Sequence, residues 1–178
     1  MQNSSGQGGS YVKYKKKLSI AALLVASGVV LSGLSIPIGV AKVFPVQHMI
    51  NMIAAVILGP MYAVLMALVT STIRVSMGTG SLLAFPGSMI GALLAGLLYQ
   101  KFKTLGAAFM GELIGTGLIG AIVAYPVAAF LLSREAAMFT FLIPFSMSSA
   151  VGAIIGVMAV GILEKNGVFQ KKMIEGGR

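Results

Sequence analysis

The sequence predicts an all-α membrane protein: a bundle of six transmembrane helices with the N and C termini cytoplasmic. Three observations carry this. Of 178 residues, 57% are apolar and 10% charged, whereas about a quarter of a soluble domain is charged. The apolar residues fall into six runs divided by Gly, Pro or basic punctuation, and a bilayer core takes roughly 20 apolar residues per helix. The 13 Lys and Arg, against 4 acids, give a net charge of +9 and gather mostly at the chain ends and in one short segment, matching the bias of basic residues to cytoplasmic flanks.

Residues 1–17 form a basic tail whose Gly, Ser, Asn and Gln opening has no apolar pattern, and it is expected to be disordered. Lys13 to Lys17 followed by Leu18 to Ile36 imitates a signal peptide, but the apolar stretch is span-length and no polar domain follows, so it is taken as helix 18–36. Breaks at Pro37 to Pro45, Gly59-Pro60, Met77 to Pro86, Lys101 to Thr104 and Ser133 to Thr140 leave helices at 46–58, 61–76, 84–100, 105–131 and 140–163. The second and third are short for spans, and their Gly-Pro turn predicts a tight hairpin. The membrane domain is then 18–164, followed by a basic cytoplasmic tail, 165–178. With the N-terminus inside, Lys13, Lys15, Lys16, Lys17, Lys101, Lys103, Lys165, Lys171, Lys172 and Arg178 are all cytoplasmic, and only Lys42, Arg74 and Arg134 lie toward the outside. Five or seven helices would split the clusters at Lys101 and Lys165 between the two sides.

Small residues recur at four-residue spacing at Ala22 and Ala26, at Gly87, Gly91 and Ala95, at Gly111 and Gly115, and at Gly152 and Gly156. Such a stripe removes side-chain bulk from one helix face and lets backbones approach closely. Packing inside the bundle is the ordinary use of this pattern.

Several function classes are excluded by what is missing. Zero Cys removes disulfides, thiolate nucleophiles and Cys-ligated metals, and a single His with no Asp leaves few other metal ligands. No metal or cofactor is expected. No GxxxxGK[ST] run is present, so ATP-driven work falls to a partner. A nucleic-acid binder spreads basic residues over a face with interleaved aromatics; here the stretches between basic clusters are nearly uncharged. No pairing of nucleophile and oriented base suggests an enzyme.

Polar side chains within spans are costly and usually face a cavity or a partner. Gln47, His48 and Asn51 lie in the first turns of the second helix, with Gln47 and Asn51 on one face at i, i+4. Thr70, Ser71 and Arg74 reach the same outer level at the end of the third helix, and the 78–87 segment adds Thr79, Ser81 and Phe85. Glu112 lies two turns into the fifth helix, nearer the cytoplasmic side, and Tyr125 toward the outer side. Each has an ordinary alternative: a structural hydrogen bond for His48, a neutral or bonded carboxyl for Glu112, an interfacial position for Arg74. Phe44, Phe85 and Tyr125 are candidate walls of a small outward-facing pocket that holds an uncharged or weakly charged molecule by a few polar groups.

The segments PIGVAKVFPVQHMIN (37–51), GTGSLLAFPGSMIG (78–91) and GELIGTG (111–117) closely resemble the ThiW-type substrate-binding (S) component of energy-coupling factor (ECF) transporters, over Leu18 to Glu164. The resemblance implies a six-helix bundle in a prokaryotic plasma membrane, binding hydroxyethylthiazole, the thiazole precursor of thiamine, near the outer surface under the 36–44 loop as a gate. It implies as partners a transmembrane coupling (T) subunit and two cytoplasmic ATPase subunits, with Ala22 and Ala26 as the docking stripe for the coupling subunit. The expected binding residues are Phe44, Gln47, His48, Asn51, Ser81, Phe85, Glu112 and Tyr125. The absence of Trp suits a single thiazole ring better than whole thiamine. Alternatives are an S component for another small vitamin, or a stand-alone proton-coupled carrier or channel with Glu112 as the proton site.

Overall fold

The computed structural model describes residues 5–38, 41–132 and 140–167. Among these, six helices form the bundle: α1 (Ser5–Val30), α2 (Pro45–Ile57), α3 (Pro60–Ser76), α4 (Ala84–Phe102), α5 (Leu105–Leu131) and α6 (Leu142–Lys165). Tyr14–Gly33, Leu105–Leu131 and Leu142–Lys165 are long and apolar enough to cross a membrane, and α2 and α3 are shorter apolar helices. The chain is an all-α membrane protein by these features.

Punctuation in the sequence explains the boundaries. Gly59 adopts φ 94, a left-handed conformation that costs glycine nothing, and Pro60 follows at the first helical position, where its missing N–H is not needed. Lys103 closes α4 with φ 55, and Thr104 caps α5 by accepting a hydrogen bond from the Ala107 N–H at 3.2 Å. Within α5, Leu113–Gly120 and Val127–Leu131 widen to π-helical geometry. Pro126 removes one backbone donor just ahead of the second wide stretch.

Three expectations are corrected. Helix replaces the disordered tail over residues 5–17, because α1 begins at Ser5; once the Leu18 to Val30 core nucleates, each added Lys or Gln turn extends an existing helix at little cost. Residues 1–4 lie outside the described chain. At its other end α1 stops at Val30, with a 3-10 turn at Leu31–Gly33, and does not reach Ile36. The 36–44 segment is no plain loop either: Ile36–Ile38 (β1) pairs antiparallel with Ala41–Val43 (β2), Ile36 opposite Val43 and Ile38 opposite Ala41. Pro37 is tolerated because a two-stranded ribbon is all edge. The last helix runs through Lys165, and the remaining tail, 168–178, lies outside the described residues together with Arg134.

α2 is the hub of the bundle. It contacts α1, α3, α4, α5 and α6, and its residues Ile50 to Val56 are buried without interruption, as expected of a helix enclosed on every side. Tight packing comes from the small-residue stripes. The α4 stripe meets α5 antiparallel: a Cβ placed on Gly111, Gly115 or Gly120 would come 2.6, 2.7 or 2.6 Å from the α-carbons of Ala95, Gly91 and Gly87 respectively. On α6, Gly152 lies against Pro45 and His48 and Gly156 against Met52, so α6 seats on α2. α1 is peripheral, turning Ala21 and Gly28 inward and leaving Ala22 and Ala26 exposed.

Cross-contacts fix the ends. Ser32 reaches Thr79 and Phe44 reaches Ser148 at one end. At the other, Gly96 packs on Pro60, Lys17 lies over Tyr62, and Leu105 clusters with Tyr99 and Val160. The second end carries the exposed Lys15, Lys16, Lys101, Lys103 and Lys165.

Candidate functional site

Two joined tiers of buried polar groups lie toward the hairpin end. The lower tier surrounds Glu112, which is fully buried. Its Oε1 lies 2.8 Å from His48 Nδ1, accepts from Asn51 Nδ2 at 3.4 Å, and lies 3.1 Å from the Thr116 hydroxyl, one helical turn further along α5. That hydroxyl also reaches the Gly87 carbonyl at 3.0 Å. Both carboxylate oxygens seat against the bare α-carbon of Gly91, where a Cβ would come within 2.9 Å of each. Oε2 has no hydrogen-bond partner among the described residues.

The upper tier centres on Arg74, 2% exposed. It donates through Nη1 to Gln47 Oε1 and through Nη2 to the Thr79 carbonyl at 3.2 Å. Its guanidinium stacks 4.8 Å from the Phe44 ring centroid, a cation–π contact strengthened by exclusion of water. Gln47 Nε2 donates to Ser71 Oγ at 3.0 Å and to Ser88 Oγ. Asn51 Nδ2, one turn below, donates to the Ser88 carbonyl at 3.2 Å. Ser88 therefore couples the tiers, and the i, i+4 face expected of Gln47 and Asn51 is the face that reads it. Phe44, the last residue before α2, has its N–H held by Ser148 Oγ at 3.1 Å, which ties the hairpin exit to α6.

Hydrogen-bond capacity separates scaffold from free groups. An amide side chain has two donors and a guanidinium five. Both donors of Gln47 are engaged by serines and its oxygen by Arg74, so Gln47 acts as a brace. Among the described residues no side chain occupies His48 Nε2, Asn51 Oδ1, Glu112 Oε2 or Arg74 Nε.

His48 and Glu112 were expected at opposite sides of the bundle, and they are bonded. The correction lies in the length of α2. Glu112 is seven residues from the start of α5, about 10 Å, and His48 is nine residues from the end of α2 at Ile57, about 14 Å at 1.5 Å per residue. Measured from the same end of the bundle, the two stand at similar heights, because the hairpin occupies the opposite end and sets the first turn of α2 deep.

The remaining expected residues lie outside this network. Ser81 is exposed in the α3–α4 connection, where its carbonyl accepts from the Ala84 N–H at 3.0 Å. Phe85 and Tyr125 are half-buried on α4 and α5. The apolar wall at this end is built by residues the sequence reading passed over: Leu83, Ala124 and Ala128 with Phe141 and Phe145, the two rings tilted at 49° and 6.0 Å apart. Ser71, Ser88, Thr116 and Ser148 are the other polar members. Ser88 sits at i+1 from Gly87 and Thr116 at i+4 from Glu112; a hydroxyl one turn from the only in-span acid was the available signal. Among the described residues no three His, Cys, Asp or Glu side chains gather around a metal-sized point; the polar centre has two.

A family model described as thiamine-precursor transporter protein (ThiW) matches residues 18–166, which include all six helices except the polar first turns of α1. No curated protein and no solved structure matches the chain. The matched span contains both polar tiers, the hairpin and the glycine-packed α4–α5 pair, and the chain belongs to the ThiW family of thiamine-precursor transporters.

Proposed function

We propose that this chain is the substrate-binding S component of an ECF-type importer, capturing hydroxyethylthiazole at the outer face of a prokaryotic plasma membrane. The observation that carries the reading is the buried polar centre in which His48 and Asn51 of α2 meet Glu112 of α5, close to Phe44 at the start of α2. A thiazole alcohol offers a ring nitrogen that accepts and a hydroxyl that donates, and His48 Nε2, Asn51 Oδ1 and Glu112 Oε2 are the free atoms to meet them, the two oxygens as acceptors for the hydroxyl. Apolar neighbours exclude water and supply most of the contact. Phe44, held by Arg74 and Ser148, anchors the gate that we assign to the 36–44 segment, and Gln47 braces Arg74. Phe85, Tyr125 and Ser81 belong to the mouth.

All six helices span the membrane in this reading, with the membrane domain over 18–164. The exposed lysines at the Gly59-Pro60 end support placing that end, and both termini, in the cytoplasm. Uptake requires energy that the chain has no phosphate-binding loop to harvest, so a coupling subunit and two ATPase subunits supply it. The exposed stripe Leu18, Ala22, Ala26, Val30 on the peripheral helix supports docking of the coupling subunit there through Ala22 and Ala26.

Binding of hydroxyethylthiazole to the purified protein, read by calorimetry, tests the substrate. Tight binding of another vitamin with no thiazole binding below millimolar reassigns it. Co-purification tests the partners. One feature favours a second reading, a stand-alone proton-coupled carrier: the unpartnered Oε2 of Glu112 is a place for a proton. Uptake by liposomes containing this chain alone distinguishes that carrier from an S component, which transports nothing by itself.

A further inference from the structure

We infer that Glu112 Oε2 is a specificity element that reads a hydrogen-bond donor, a hydroxyl or N–H, on the bound molecule. The inference rests on the small-molecule reading above and adds an atom to it.

The carboxylate is unevenly served. Oε1 is approached by His48 Nδ1 at 2.8 Å, Asn51 Nδ2 at 3.4 Å and the Thr116 hydroxyl at 3.1 Å, while Oε2, equally buried, has no partner. Leaving a carboxylate oxygen bare in a low-dielectric interior is costly, and the contacts of His48, Asn51 and Thr116 on the sister oxygen hold the group in this orientation. The glycine at 91 deepens the constraint, because both oxygens rest where a Cβ would stand. Such a group is preorganised to accept one more hydrogen bond. A ligand that brings a donor completes the shell, and one that lacks a donor leaves the penalty in place. Sites built around a polar partner reject the analogue without it far more strongly than sites built on apolar contact reject a missing methylene.

Hydroxyethylthiazole and its deoxy analogue, in which the hydroxyl is replaced by hydrogen, are the probes. The parent protein is expected to bind the alcohol roughly ten- to a hundredfold more tightly, the range for a hydrogen bond to a charged group. In Glu112→Gln the preference is expected to fall to a few-fold. Infrared difference spectra of the unaltered protein give a readout that needs no variant: the alcohol shifts a carboxylate stretch and the deoxy compound does not. Equal binding of both compounds by the parent, an undiminished preference in Glu112→Gln, or no carboxylate shift with the alcohol overturns the role of Oε2 while leaving the thiazole reading intact. Failure of the parent to bind either compound overturns the thiazole reading and this inference together.

Discussion

Two parts of the molecule carry the same sequence signal and meet opposite fates. On α4, Gly87, Gly91 and Ala95 repeat every four residues and are locked against Gly120, Gly115 and Gly111 of α5, backbone to backbone. On α1, Ala22 and Ala26 repeat with the same spacing and face outward, while Ala21 and Gly28 of the same helix turn inward, Gly28 with Thr70 at 3.2 Å from its Cβ direction. Spacing of small residues therefore reports that a backbone can be approached closely, and says nothing about what approaches it. The α4–α5 pair uses that closeness to place a carboxylate on bare backbone. Among the described residues the α1 stripe holds nothing.

The comparison breaks most visibly at Gly115. Gly115→Leu drives a branched side chain into the α-carbon of Gly91, and is expected to cost more than about 3 kcal/mol, seen as lost monodisperse protein or a sharply lowered thermal midpoint. A wild-type midpoint in this variant would mean the two helices are not packed as described. Gly91→Ala is the graded version. One methyl group meets Thr116 Oγ1 and both Glu112 oxygens, so the expected loss is about 1–3 kcal/mol, accompanied by weakened binding of ligand because the carboxylate is displaced.

His48→Ala touches the polar centre without touching the glycine contacts. It removes one neighbour of Glu112 Oε1 and the free Nε2, and affinity for hydroxyethylthiazole is expected to fall at least about tenfold, the equivalent of one modest hydrogen bond. Parent-like affinity in titration calorimetry would take His48 out of the site. Smallest for the fold are Ala22→Leu and Ala26→Leu, which are expected to move the thermal midpoint by no more than about 0.5 kcal/mol in stability, as exposed substitutions do. Pull-down of a coupling protein is expected to be lost in the same variants. Retained pull-down would remove the stripe from the docking surface, and a large loss of stability would show that it packs inside the chain after all.

Helix number and most helix limits were legible because apolar helices are declared by composition over long windows and ended by residues with local chemistry, such as Gly59-Pro60 and Lys103-Thr104. The hairpin at 36–43 was missed although Ile36, Ile38, Val40 and Val43 around Gly39 form a short β-branched pattern. Its Pro37, read as a helix stop, concealed the strand. The helical start at Ser5 was missed because a polar segment cannot announce a helix that is propagated into it from the next residues.

The amino-acid sequence alone determined the class of the molecule, its membrane nature, its family and the identity of its few buried polar side chains, since each depends on residue type or on neighbours within a turn. Which of those side chains meet was decided by the tertiary structure. His48 and Glu112 are separated by 64 positions and become partners only because α2 is short, begins beneath a hairpin and is clasped by α4, α5 and α6. Heights along a bundle follow from where each helix starts relative to the others, and no single helix encodes that.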